Sequence, residues 1–253
     1  MTYSRLNGFG RQMPDLVIHL DKYLDKDVVY EININGNYEK RLFNINEVLD
    51  AFDYIKKREN NRCDNQLLGE ACEVWILIFV RLIMDWETRQ ITNADEQQHK
   101  GDFIVNINNE EVAIDVKSGT VDRVPYANLS CSHWKYNTPY YGKLRINDTH
   151  YSCLYYLDMC DILAVVIWKN KLPEIYFVDC FQNIRTNLWN NFVDEEGIPI
   201  EANIKDFNKK YKNKKGLASK IVYDNKTTYS IAFALDKDVI KELGGSLKIV
   251  YFK

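Results

Sequence analysis

The chain has 253 residues, a mass of 29.8 kDa and a formal net charge of −3, with 46% apolar and 27% charged residues. A chain of this size and composition buries about 70–75% of its unfolded surface, which excludes a disordered, a collagen-like and a mini-protein class. No Pro-, Gly- or Ser-rich linker marks a boundary, so we expect one domain over residues 1–253.

Two further features bear on the compartment of the protein. The first residues lack the apolar stretch of a signal peptide, and the longest charge-free apolar run, Val74 to Val80, is far shorter than the ~20 residues of a membrane span. The six cysteines form no Cys-x-x-Cys pair and do not alternate with histidine at zinc-finger spacing, which indicates reduced, mostly buried thiols. We therefore expect a cytoplasmic protein without a membrane span.

The first predicted elements lie before residue 60. The apolar spacing from Asp15 to Leu24 favours a short helix, and residues 28–34 and 38–43 alternate on either side of an Asn-Gly-Asn turn, as in a hairpin. Asn46 precedes an apolar stripe at helical spacing and is a suitable N-cap for a helix that ends near Arg58.

A longer helix and a second hairpin follow. Asp64 is a suitable N-cap for a helix to Met84, which is apolar nearly all round and so should lie against a sheet and other helices. Alternation then predicts a strand from Asp102 to Ile107, a polar turn and a returning strand from Val112 to Lys117.

The remaining elements complete an α/β pattern. Residues 120–151 look irregular and aromatic. The elements predicted after them are strands at 162–168 and 174–178, a helix at 182–192, strands at 221–223 and 229–234, a helix at 236–243 and a strand at 247–252. Strands and helices mix without strict alternation, which predicts an α/β sandwich with a mixed sheet.

The hairpin after residue 100 carries the chemistry-bearing residues. Along its second strand Asp115 and Lys117 share one face, while Ile114 and Val116 point the other way into a core. Asp102 opens the partner strand, so two carboxylates and a lysine meet at one edge of the sheet. Magnesium prefers such oxygen ligands, with water and substrate phosphate completing its shell. The alternative is an ordinary cross-strand ion pair on an exposed face.

These residues give the sequence a resemblance to the PD-(D/E)XK nuclease superfamily, which includes most type II restriction endonucleases. Gly101-Asp102-Phe103 resembles the first acidic motif, with Gly101 in place of the usual proline, and Asp115-Val116-Lys117 resembles the second. Gly69 and Glu73 match the Gly-x-x-x-Glu that often precedes the hairpin, although Glu70 lies one turn away on the same helix face.

The resemblance implies a restriction-endonuclease-like α/β/α sandwich, with a central mixed sheet flanked by helices and a catalytic core over about 64–180. It implies that Asp102, Asp115 and Val116 hold Mg²⁺, for which Mn²⁺ would substitute. It further implies that Lys117 assists the attacking water and that Glu73 supplies an outer carboxylate or a water contact. A solvated or ion-paired helix residue is the alternative for Glu73.

Candidate DNA contacts follow the second acidic motif and recur in a lysine-rich run. Between Lys205 and Lys226 there are eight lysines against two aspartates. The candidates are hydrogen-bonding, stacking or cationic side chains: Ser118, Arg123, Tyr126, Asn128, Ser130, His133, Trp134, Lys135, Tyr136, Asn137, Lys143, Lys212, Lys214 and Lys215. A tyrosine-rich surface loop and a solvated lysine loop are the alternatives.

The hypothesis that unites these features is a Mg²⁺-dependent, ATP-independent endonuclease that cuts double-stranded DNA at a specific sequence. The sequence holds no phosphate-cradling Gly-rich loop with Lys-Ser/Thr, so we expect no nucleotide cofactor. Cutting both strands of a palindrome favours a homodimer, with the two ends of the chain used for dimerisation and DNA contacts. The alternatives are a repair, recombination or transposon-end nuclease with the same core and a catalytically silent nucleic-acid-binding module.

Overall fold

The computed structural model describes residues 15–34, 37–57, 62–92, 101–107, 109–121, 125–131, 133–134, 145–146, 149–151, 160–169, 171–184, 187, 205–206, 209, 219–223 and 226–253. No helix in this part of the chain is both long enough and apolar enough to cross a membrane.

Strands dominate the structure. The strands are β1 (Leu16–Ile18), β2 (Asp27–Ile34), β3 (Asn37–Asn44), β4 (Glu87–Gln90), β5 (Phe103–Ile107), β6 (Glu110–Val121), β7 (Pro125–Cys131), β8 (His133–Trp134), β9 (Arg145–Ile146), β10 (Thr149–Tyr151), β11 (Ile162–Lys169), β12 (Leu172–Asp179), β13 (Ser219–Tyr223), β14 (Lys226–Ala234) and β15 (Ser246–Phe252). The helices are α1 (Ile45–Lys57), α2 (Arg62–Leu77), which continues as a π-helical turn (Ile78–Ile83), and α3 (Lys237–Glu242).

Ten of the described strands form one mixed sheet. Its order is β1-β15-β12-β11-β6-β7-β14-β13, and β5 joins β6 and carries β4. The pairs β1/β15 and β6/β11 are parallel, and the other pairs are antiparallel. The hairpin β2–β3 forms a separate two-stranded sheet. The α/β class and its mixed central sheet are thus confirmed, whereas helical layers on both faces of a sandwich stay a prediction.

The main core lies between the sheet and the helices α1 and α2. Phe52 of α1 packs edge-on against Trp75 of α2, with ring centroids 6.4 Å apart, and stacks on Trp168 of β11 at 5.0 Å. Ile114 and Val116 of β6 belong to the same buried cluster. Full burial of such side chains stabilises the fold by about 1.5–3 kcal/mol each. The alternation predicted for β6 is therefore confirmed, and it leaves Asp115 and Lys117 on the opposite face.

Most predicted elements are confirmed. The hairpins β2–β3, β5–β6 and β11–β12 are present, as are the strands β13 to β15 with α3 between the last two. The long helix reaches position 83 through its π-helical turn. The helix expected at 182–192 lies largely outside the described residues, among which 181–184 are helical.

Four local predictions are wrong. Residues 15–24 form β1 and a 3₁₀ turn at Leu20–Lys22, because Leu16–Ile18 pair in parallel with residues 250–252. α1 is capped by Asn44 and not by Asn46. α2 begins at Arg62, so Asp64 lies inside its first turn. The stretch 120–151, expected to be irregular, contains β7, which pairs with β14.

Candidate active site

Asp102 lies at the point where β5 begins to pair with β6. Its backbone N–H donates to Ile114 O at 2.9 Å, and its Oδ2 accepts the backbone N–H of Val116 at 2.7 Å. The carboxylate thus takes the place of a neighbouring strand at Val116, which lies opposite the segment just before the first residue of β5, and Asp102 is only 9% exposed.

Gly101 makes this approach possible. Its φ of +95° lies in the region that favours glycine, and a Cβ at this position would lie 2.9 Å from both Asp115 Cβ and Ile114 O. The motif that this segment resembles usually has a proline before the aspartate. In this chain the backbone conformation and the lack of space for a Cβ explain why a glycine occupies position 101.

Asp115 and Lys117 form a close ion pair on β6. Lys117 Nζ lies 2.6 Å from Asp115 Oδ2 and also donates to Val116 O at 3.0 Å. Asp115 is 2% exposed, and burial raises its pKa to about 6, with the charge of Asp102 adding to the rise and Lys117 opposing it. Asp102, Asp115 and Lys117 are thus joined through the backbone of Val116.

Glu73 reaches the same group of charges from α2. Burial is the main cause that raises its pKa to about 8; the charges of Asp102 and, less strongly, Asp115 add to the rise, while Tyr30 and Lys117 oppose it. Its Oε2 accepts the hydroxyl of Tyr30 at 2.5 Å. The sequence did not decide whether Glu70 or Glu73 is the helix carboxylate of the site. In the structure Glu73 makes this contact, and Glu70 lies half-buried one turn away.

The start of β11 holds β6 in place. The backbone N–H of Asp161 donates to Ala113 O at 2.9 Å, and its Oδ2 accepts the N–H of Ala113 at 3.0 Å. Beside it, the Cys160 thiol is buried and donates to Ile162 O at 3.1 Å. Burial raises the pKa of this thiol well above its ordinary value, which disfavours the reactive thiolate form.

The donors of this site suit a hard cation. Carboxylate oxygens of Asp102 and Asp115 and the carbonyl of Val116 are the ligand types that Mg²⁺ prefers, and it takes one or two carboxylates with the rest from water and substrate. Among the described residues, no three His, Cys, Asp or Glu side chains are grouped so that they could hold a metal ion by themselves. A cation here would therefore depend on water and substrate oxygens for the rest of its shell.

Few of the predicted DNA contacts fall on described side chains. Ser118 is exposed near the end of β6, and Tyr126 is half-buried on β7. Two sets lie outside the description: the side chains of Asn128, Ser130, His133 and Trp134, whose backbones belong to β7 and β8, and the whole of Arg123, Lys135, Tyr136, Asn137, Lys143, Lys212, Lys214 and Lys215. The DNA contacts stay predictions.

Sequence reasoning missed Tyr30. The alternation of β2 placed it on the inner face of the hairpin with Val28, which was a signal for burial, but nothing in the sequence indicated which part of the molecule that face covers. Its partner Glu73 is 43 positions away.

Comparison with known proteins gives one distant likeness. No family model matches the sequence, and it matches no curated protein. A solved structure of a bacterial homing endonuclease aligns with 14% sequence identity and a TM-score of 0.27, over 44% of this chain and 66%, just under two thirds, of that chain. At this TM-score the likeness carries no statement about the fold or activity of the present chain.

Proposed function

We propose that this chain is a nuclease of the PD-(D/E)XK type that hydrolyses phosphodiester bonds of double-stranded DNA. The observation that carries the proposal is a set of three close contacts. Asp102 Oδ2 accepts the N–H of Val116 at 2.7 Å, Lys117 Nζ donates to Val116 O at 3.0 Å, and the same Nζ lies 2.6 Å from Asp115 Oδ2. Burying two carboxylates beside each other costs free energy, and such sites are candidates for catalysis. A surface ion pair would not need Asp115 to be buried.

Magnesium is the cofactor of this proposal, with manganese as a substitute. Asp102, Asp115 and the Val116 carbonyl would hold it. When bound, the ion would neutralise negative charge on the phosphate and lower the pKa of a coordinated water.

The side chains of the site have separate roles in the proposal. Lys117 donates from Nζ to the attacking water and to the phosphate oxygens, whose negative charge grows in the transition state. Glu73 makes a hydrogen bond with water on the side of the site that faces α2. Ser118 is exposed just beyond Lys117, but strand alternation places its side chain on the opposite face of β6, so its DNA contact in this proposal is to a phosphate other than the reacting one.

The finer form of the proposal is a type II restriction enzyme. It acts as a homodimer on a specific sequence, because two sites related by a two-fold axis can cut both strands of a palindrome, and it uses no nucleotide cofactor. The catalytic core would cover about 64–180 of a single domain over 1–253. A repair, recombination or transposon-end nuclease and a silent DNA-binding module are the competing functions.

The test is cleavage of supercoiled plasmid and phage genomic DNA in Mg²⁺, in Mn²⁺ and in EDTA. We expect discrete fragments with either metal and none in EDTA. Asp115→Asn and Lys117→Ala should each lower the rate by about 100-fold or more. Lys169→Ala is the matched control, since Lys169 pairs with Glu174 at 3.5 Å on neighbouring strands of the same sheet.

The other outcomes select among the competing functions. Nicking or a smear that needs both Asp115 and Lys117 would favour a repair or recombination nuclease. Intact DNA under all conditions, with binding retained, would favour the silent module. Cleavage that persists in Asp115→Asn and Lys117→Ala would show that another part of the chain carries the activity.

A further inference from the structure

Tyr30 is a buried residue that contacts the candidate site from outside the hairpin β5–β6. It is 5% exposed, and its ring packs edge-on against Phe43 with centroids 6.2 Å apart. Its hydroxyl donates to Glu73 Oε2 at 2.5 Å. The contact joins the β2–β3 hairpin, which is not part of the central sheet, to a carboxylate of the site.

The backbone on both sides of Tyr30 is fastened to the body of the protein. Gln90 of β4 binds both backbone groups of Glu31, accepting its N–H at 2.9 Å and donating to its carbonyl at 2.8 Å. Arg81, in the π-helical turn after α2, donates to Val29 O at 2.7 Å and to Thr88 O at 3.0 Å. Two long side chains thus fix the positions that flank Tyr30.

This arrangement determines where the Tyr30 hydroxyl lies relative to α2. β4 pairs with β5, and the π-helical turn continues the helix that carries Glu73, so both fastenings belong to elements that also position the site. A phenylalanine would fill the same volume without placing a polar group inside the protein. The hydroxyl therefore calls for an explanation in terms of its partner, Glu73.

We propose that Tyr30 is a positioning residue of the site, and that its hydroxyl fixes Glu73 by Oε2 so that the second oxygen, Oε1, meets the attacking water. The inference rests on the proposed nuclease function and adds a residue to it. Burial and the neighbouring Glu73 carboxylate also raise the pKa of Tyr30 above its ordinary value, so the phenol stays a hydrogen-bond donor at any working pH.

The kinetic test uses the full chain, plasmid DNA and Mg²⁺. Tyr30→Phe should lower kcat by about 10- to 100-fold and change KM for DNA by less than about twofold, because it affects orientation in the reaction and not DNA binding. In a Glu73→Gln background the same change should have no further effect, since the two residues act as a unit. Tyr38→Phe, on an exposed tyrosine of the same hairpin, is the matched control.

A second readout does not depend on activity. In metal-free protein, Tyr30→Phe should shift the ¹³C-carboxylate resonance of Glu73, identified by its loss in Glu73→Gln, and Tyr38→Phe should leave it in place.

Three results would overturn the inference: wild-type kcat in Tyr30→Phe, losses that add fully in the double variant, or an unmoved Glu73 resonance. If the wild type cuts no DNA, the nuclease proposal fails, and the resonance alone then decides whether Tyr30 positions Glu73.

Discussion

Glu73 lies where a negative charge is disfavoured. Burial is the main cause, and the carboxylates of Asp102 and Asp115 add to it, so its pKa rises from 4.5 to about 8. Between these two pH values the folded protein holds a proton that the unfolded chain has released. The free energy of unfolding therefore falls as the pH rises from 4.5 to about 8, and above that range Glu73 causes no further change.

Replacing Glu73 with Gln should remove this pH dependence. The amide keeps an acceptor for Tyr30 and carries no charge, so we expect the variant to be more stable than the wild type above pH 8 and nearly equal to it near pH 4. The shift from 4.5 to about 8 sets an upper limit of about 5 kcal/mol on this gap, which corresponds to roughly 10–20 °C in Tm. Calorimetry from pH 4 to 9 in EDTA measures it, and parallel Tm curves for the two proteins would contradict the prediction.

What the sequence could predict about the site depended on how far apart along the chain the contacting residues lie. Asp102, Asp115 and Lys117 belong to one hairpin, so strand alternation alone brought them together. Gly101 was seen as a departure from the proline of the motif, but only the structure shows that a Cβ at this position would lie 2.9 Å from Asp115 Cβ. Tyr30 and Glu73 meet only because a separate hairpin docks beside α2, which no local pattern indicates.

At the start of α1, the strand β3 and the helix share one residue. Asn44 ends β3, and its side chain accepts the N–H of Glu47 at 3.0 Å, while Glu47 accepts the N–H of Asn44 at 3.0 Å. This reciprocal pair is a capping box, which satisfies two backbone donors at the helix start. It also fixes the direction in which the chain leaves the hairpin that carries Tyr30.

Asn44→Ala should therefore lower the free energy of unfolding by about 1 kcal/mol. Asn46→Ala, at the position that the sequence favoured as the cap, should be neutral or stabilising by a few tenths of a kcal/mol, because Asn46 is exposed inside the first turn, where alanine is the better helix former. Urea unfolding of both variants beside the wild type measures the difference. A larger loss in Asn46→Ala would show that the cap lies there.

The elements that the sequence missed are those that depend on distant pairing. Leu16–Ile18 is short and apolar, and both a helix and a strand fit its spacing. Its pairing with Val250 and its neighbours in β15 decides for the strand. β7 is likewise a strand because β14, about 100 positions later, pairs with it, as the register Phe233↔Ala127 shows. The long helix and the hairpin β5–β6 were predictable because their periodicity is local.

The β2–β3 hairpin and the central sheet are held in different ways. β11 and β12 pair along eight positions and β6 lies on the other side of β11, so these strands are joined by many backbone hydrogen bonds. The hairpin is fastened by its inner apolar face and by the side chains of Arg81, Gln90 and Glu73. We infer that the hairpin opens at a lower free energy than the sheet, because fewer interactions join it to the rest.

Native-state hydrogen exchange tests this difference. Amides of β2 should exchange through a partial opening, faster than amides of β11. Gln90→Ala, which removes both hydrogen bonds to Glu31, should raise exchange in β2 and β3 by about tenfold and leave β11 unchanged. Glu87→Ala, on an exposed residue of the same strand, is the matched control. An equal response of β2 and β11 to Gln90→Ala would mean that hairpin and sheet unfold together, and Tyr30 would then be as firmly placed as the strands that carry Asp102 and Asp115.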